Sequence, residues 1–115
     1  MAQYLVLIYD DEDTLAAADP QASDELLAEH RRFASANGTS VRGGNALQPT
    51  AAATSIRPDG AGGFSVTDAP FAETKEALVG YYLVDADDLD EAVAIAEQVP
   101  TLAGGVEVRP VLTFD

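Results

Sequence analysis

Tyr4-Leu5-Val6-Leu7-Ile8-Tyr9 is apolar at every position and is closed by the acidic run Asp10-Asp11-Glu12-Asp13. Successive strand residues point to opposite faces, so a strand on a half-solvated sheet alternates apolar with polar side chains. An unbroken apolar run instead predicts a strand covered on both faces. Residues 77–84, Ala-Leu-Val-Gly-Tyr-Tyr-Leu-Val, have the same character and predict a second strand of that kind. These two runs decide the fold, because whatever surrounds them must supply two layers of cover.

The rest of the chain supplies one layer. Residues 10–22 read as a polar loop containing Pro20, with a short helical turn at 14–18. Ser23 reads as a helix N-cap, followed by Asp24 and Glu25 where the helix dipole favours acids. Leu26, Leu27, Phe33 and Ala34 form one apolar stripe, His30 falls inside it, and Asn37-Gly38 ends the helix. Asn37-Gly38-Thr39 also matches a glycosylation sequon, but its simpler reading is that helix end. Residues 41–47 predict a glycine-interrupted strand or bend. Residues 52–57 and 63–67 predict the arms of a hairpin turning at 58–62. Asp88 with Glu91 resembles a capping box and opens a second helix with the stripe Leu89, Ala92, Val93, Ala96 and Val99. The last strand, residues 106–114, places Val106, Val108, Leu112 and Phe114 on one face and Glu107, Arg109, Val111 and Thr113 on the other.

Strand, helix, strand thus occurs at each end of the chain with a hairpin between. Two such units sharing a sheet make an α+β, ferredoxin-like sandwich: an antiparallel sheet with two helices on one face. The second face of residues 4–9 and 78–84 then needs its own cover. A second copy of the same sheet is the economical answer, so a homodimer forming a dimeric α+β barrel about a two-fold axis is expected.

The chain has 115 residues, which fits a single domain spanning 1–115, and 47% of them are hydrophobic, enough for a core. Its formal charge of −14 repels a nucleic-acid backbone or an anionic membrane. The same charge serves solubility or offers a docking surface to a basic protein. With no cysteine and one histidine, thiol catalysis, disulfides and multi-histidine zinc patterns within one chain are excluded. No run reaches the length of a membrane span, and Met1-Ala2-Gln3-Tyr4 lacks the basic start of a secretory signal, so a cytoplasmic protein is expected. Gly43-Gly44 is too short for a phosphate loop, and no cofactor is expected.

Residues 67–76, Thr-Asp-Ala-Pro-Phe-Ala-Glu-Thr-Lys-Glu, carry more chemistry than a connection requires. Together with the preceding Val66 they resemble the signature of the YCII-related family, in the branch named for its DGPF motif. Tyr4-Leu5-Val6-Leu7-Ile8-Tyr9, Gly80-Tyr81-Tyr82-Leu83-Val84, Asp88-Leu89-Asp90-Glu91-Ala92 and Val106-Glu107-Val108-Arg109-Pro110-Val111 agree with the family in order and spacing. The resemblance implies the dimeric α+β barrel, in agreement with the pattern argument, but no established activity. It also implies kinship with enzymes that use a His–Asp pair, and gene neighbourhoods shared with extracytoplasmic-function sigma factors. Ala69 stands where the name-giving glycine would be. If that glycine needs a positive φ, Ala69 is strained; if it serves close approach, alanine is nearly neutral.

The candidate catalytic residues are Asp68, Glu73, Lys75 and His30. A desolvated carboxylate among them would serve as a general base, with Lys75 holding an anionic substrate or orienting Glu73. The plainer reading is a turn capped by Asp68 with a local ion-pair cluster. His30 is the side chain whose ordinary pKa lies near neutrality, yet on an apolar stripe a satisfied core histidine is the commoner outcome. The candidate ligand-binding residues are Tyr81, Arg109 and Phe71. Arg109 has Glu107 two residues away as a structural partner, Phe71 has the core or dimer seam as a destination, and Tyr81 has a core role. Three functions follow as expectations. The first is binding of a small polar molecule in a cleft near the signature loop, with acid–base chemistry. The second is a non-enzymatic role beside a sigma factor. The third is cofactor-free monooxygenase-like chemistry, by analogy of fold alone.

Overall fold

A computed structural model describes residues 1–71 and 75–114. Glu73 lies outside the described residues. The elements run β1 (Ala2–Asp11), α1 (Glu12–Ala17), α2 (Pro20–Ala36), β2 (Val41–Ala46), a 3-10 turn (Thr50–Ala52), β3 (Ser55–Pro58), β4 (Phe64–Thr67), β5 (Glu76–Ala86), α3 (Leu89–Ala96) and β6 (Gly105–Pro110). β2, β5, β1 and β6 form one sheet in that order, and every neighbouring pair is antiparallel. This is the ferredoxin-like α+β arrangement expected from the sequence. The β3–β4 hairpin, inserted between β2 and β5, forms a separate two-stranded ribbon.

Strand register assigns the faces. Tyr4, Val6, Ile8 and Asp10 of β1 are buried on the helix side, opposite Val84, Tyr82, Gly80 and Ala77 of β5. Leu5, Leu7 and Tyr9 lie on the other face, beside Leu83, Tyr81 and Leu78. Phe33 of α2 and Ala92, Ile95 and Ala96 of α3 close the core over the helix side. The apolar character of β1 on both faces is therefore real, and α2 and α3 cover one of them. Among the described residues, no helix is long and apolar enough to cross a membrane.

Local chemistry moves several boundaries. α2 begins at Pro20, not Ser23: Asp19 is its N-cap and accepts from the Ala22 N–H at 2.8 Å. Pro20 fits the first turn because its missing N–H would have had no intrahelical partner. The acidic run is no loop either, since Asp11 caps α1 by accepting from the N–H groups of Asp13 and Thr14. In α3 the buried stripe contains Ile95 with Ala92 and Ala96, while Leu89 and Val93 face outward. Asp88 does cap that helix, accepting from the Glu91 N–H at 2.9 Å. β6 ends at Pro110, and just beyond it the Val111 N–H donates to the Gln3 carbonyl. At the ribbon turn, Gly60 and Gly62 adopt φ of 83° and 89°, a region open to glycine. The Asp59 carboxylate accepts from Ala61 and Gly63 N–H there, which lowers its pKa.

Candidate functional site

The largest polar commitment in the core is Asp10, which ends the Tyr4-Val6-Ile8 alternation on the helix face and is 2% exposed. Its carboxylate accepts from the N–H groups of Asp11 (3.0 Å), Leu102 (2.8 Å) and Ala103 (2.8 Å). A buried carboxylate is tolerated when its oxygens are filled in this way. The bonds dock the loop before β6 against the end of β1. Gly104 completes the contact, since a Cβ there would lie 1.9 Å from the Tyr9 carbonyl oxygen.

Glu12 makes the second such tie. From the first turn of α1 it accepts from the N–H (2.8 Å) and the hydroxyl of Thr50, anchoring the segment after β2. α1, α2 and that segment thereby stand around the end of the sheet without filling the space between them. A cavity of about 590 Å³ remains. Ile8, Ala46 and Val79 of the sheet line it, with Leu15 of α1 and Leu26 and Leu27 of α2. Leu27 is 50% exposed because its side of α2 meets this open space. The volume falls within the range of about 300–1,000 Å³ usual for small-molecule sites.

His30 lines the same cavity. Its Nδ1 lies 2.9 Å from the Tyr82 hydroxyl, and the two share a hydrogen bond. The Tyr82 ring also packs against buried Phe33, with ring centroids 4.8 Å apart. Burial lowers the His30 pKa, opposed more weakly by the Glu29 charge, so the imidazole is neutral at pH 7. Burial raises the Tyr82 pKa, so the phenol keeps its proton. Nε2 makes no hydrogen bond among the described residues. When Tyr82 donates to Nδ1, Nε2 carries the ring proton and is a donor. When Nδ1–H donates to the Tyr82 oxygen, Nε2 is a base. The pair therefore offers either sense of hydrogen bond, as a general acid–base group requires.

Of the other residues singled out from sequence, Tyr81 borders with His30 a smaller cavity of about 230 Å³, and the remaining described ones lie elsewhere. Asp68 and Lys75 are exposed at the two sides of the signature stretch, and neither lines the cavity around His30. Phe71 is 63% exposed, with the Arg57 guanidinium 4.2 Å from its ring centroid, instead of plugging the core. It borders a second cavity of about 580 Å³ with Tyr9, Pro70, Glu76 and Leu78. Leu47, Pro49 and Thr50 line both cavities, so the segment pinned by Glu12 is a wall between them. Tyr81 accepts from Asn45 Nδ2 at 2.8 Å. Arg109 is exposed in the single chain and pairs with Glu107 at 2.8 Å, the partner its spacing offers. Ala69 has no positive φ and its carbonyl accepts from the Ser55 hydroxyl, so alanine is unstrained in place of the motif glycine. Of the candidates among the described residues, His30 alone lines the cavity between α1 and α2, and Glu12, Thr50 and Tyr82 order its surroundings.

The sequence matches the YCII-related domain family over residues 2–115. The chain belongs to the YCII-related family. It is also similar to an uncharacterised protein of Rhizobium meliloti (strain 1021), with 38% identity over 120 residues, covering 96% of this chain and 93% of that protein. For this YCII-related chain, family membership accounts for the α+β fold but brings no activity with it. The functional argument rests on the site.

Proposed function

We propose that this chain binds a small organic molecule in the cavity between α1, α2 and the end of the sheet, with His30 as the group that exchanges a proton or hydrogen bond with it. One observation carries the reading: a neutral histidine, positioned by Tyr82 at 2.9 Å, lines an otherwise mainly apolar cavity of about 590 Å³. Ligand sites commonly combine apolar walls with few oriented polar groups. The reading places the ligand on the α1–α2 side of the Leu47–Thr50 wall, away from the signature loop. It is tested by adding a library of small fragments while observing the single imidazole by NMR. Fragments that shift His30 together with Leu26, Leu27 and Val79 support it. Fragments that bind only around Phe71 and Leu78 refute it.

The active unit in this proposal is a homodimer. Leu5, Leu7 and Leu83 occupy a sheet face that no helix covers among the described residues. Ile56, Phe64 and Val66 on the ribbon are also exposed. A second copy set on that sheet face would bury Leu5, Leu7 and Leu83, and sedimentation at micromolar concentration is the check: a monomer would overturn this part of the proposal. The charge of −14 favours a second reading, a non-enzymatic complex with a basic region of a sigma factor. Co-purification at low salt that is lost at high salt would support it, and no complex at low salt would remove it.

A further inference from the structure

We propose that the cavity selects ligands carrying a basic nitrogen on an apolar body, that is, small amphipathic amines, and discriminates against carboxylates and phosphates; this rests on the reading of that cavity as the binding site. The charges around it are one-sided. Asp10, Glu12 and Asp13 line the cavity, and no lysine or arginine does. The chain has 6 basic side chains, and each lies elsewhere. Arg42 pairs with Asp85, Arg57 lies over Phe71, and Arg109 pairs with Glu107. Arg31 and Arg32 are exposed on α2, and Lys75 is exposed before β5.

The three carboxylates are not equivalent. Asp10 is satisfied by backbone N–H groups and Glu12 by Thr50, so both charges already have partners. The Asp13 side chain makes no hydrogen bond or ion pair among the described residues. It is the carboxylate free to receive an ammonium group at the cavity edge. His30, neutral and joined to Tyr82, adds no positive charge that would offset the acids. An anion entering this space would meet like charge and find no cation; an ammonium group would meet Asp13 while its apolar body contacts Leu15, Leu26 and Leu27.

The test uses three molecules of one skeleton, cyclohexylmethylamine, cyclohexylmethanol and cyclohexanecarboxylate, titrated into the full chain at low ionic strength. Binding is read from His30 and Leu27 resonances and by calorimetry. The proposal expects the amine to bind at least about fivefold more tightly than the alcohol and the carboxylate most weakly. Asp13→Asn should remove most of the amine's advantage and leave the alcohol unchanged. Equal or tighter binding of the alcohol or carboxylate overturns the charge selection while leaving the cavity as a site. If none of the three perturbs His30 or Leu27 at millimolar concentration, the binding reading fails and the charge selection with it. An amine advantage that persists in Asp13→Asn overturns the assignment to Asp13.

Discussion

Replacing Asp10 with alanine removes the acceptor for three backbone N–H groups at once. Leaving a buried donor unpaired costs about 1–3 kcal/mol. Leu102 and Ala103 are themselves exposed residues, so water can take over part of the loss, and the lower end applies to their amides. With the space vacated by the side chain, the total is about 2–4 kcal/mol. Asp10→Asn is the milder change. One oxygen can keep the bonds to Asp11 and Ala103, but the amide nitrogen then faces the Leu102 N–H, donor against donor. A loss of about 1–3 kcal/mol follows. At about 4 °C per kcal/mol for a chain of this size, the alanine variant should melt about 8–16 °C lower. Urea unfolding gives the free energies, and hydrogen exchange at Leu102 and Ala103 locates them. An alanine variant within about 0.5 kcal/mol of the parent, with those two amides exchanging as before, would refute the argument that Asp10 docks this loop.

Tyr82→Phe should cost about 0.5–1.5 kcal/mol, and the imidazole 15N shifts should move to those of a mixture of tautomers; unchanged shifts would show that the hydroxyl does not orient His30. His30 should titrate below its ordinary value of 6.5, because burial disfavours the charged ring. The sign for stability follows: its contribution is fully present above that ordinary value and is lost as pH falls through the lowered folded value, and an NMR titration midpoint at or above 6.5 would contradict it. Gly104→Ala forces a Cβ to 1.9 Å from the Tyr9 carbonyl oxygen and should cost about 3 kcal/mol or prevent folding, whereas at Gly105 a Cβ meets nothing within 4 Å and alanine should be nearly neutral. Similar urea midpoints for those two variants would rule out the close approach.

The sheet was legible because β1 and β5 signal with every residue: Tyr4 to Tyr9 and Ala77 to Val84 allow no half-solvated register. The Asp88 cap was legible for a local reason, since its partner is Glu91 N–H in the same turn. The start of α2 was hidden by Pro20, which breaks a helix interior but suits its first turn. Asp10 carried a readable signal: it continues the every-second-residue series Tyr4, Val6, Ile8 and so belongs to the core face, a placement masked by its three acidic neighbours. His30 was legible as a member of an apolar helix stripe, but its environment was not. Tyr82 is 52 positions away and Thr50 is 38 from Glu12, and no local rule links such pairs. The signature stretch drew attention through charge density, yet Asp68 and Lys75 face solvent, since a run of charges is satisfied most cheaply by water.

The central claim is that the His30 cavity, and not the signature loop, is the binding site. A crystal structure of the native assembly soaked with cyclohexylmethylamine tests it most directly. The account predicts the ligand between α1 and α2, its ring against Leu26 and Leu27 and its nitrogen at Asp13 or His30. Density for the amine at Phe71 and Leu78 instead, with the space beside His30 closed by side chains of this chain or its partner, would contradict it.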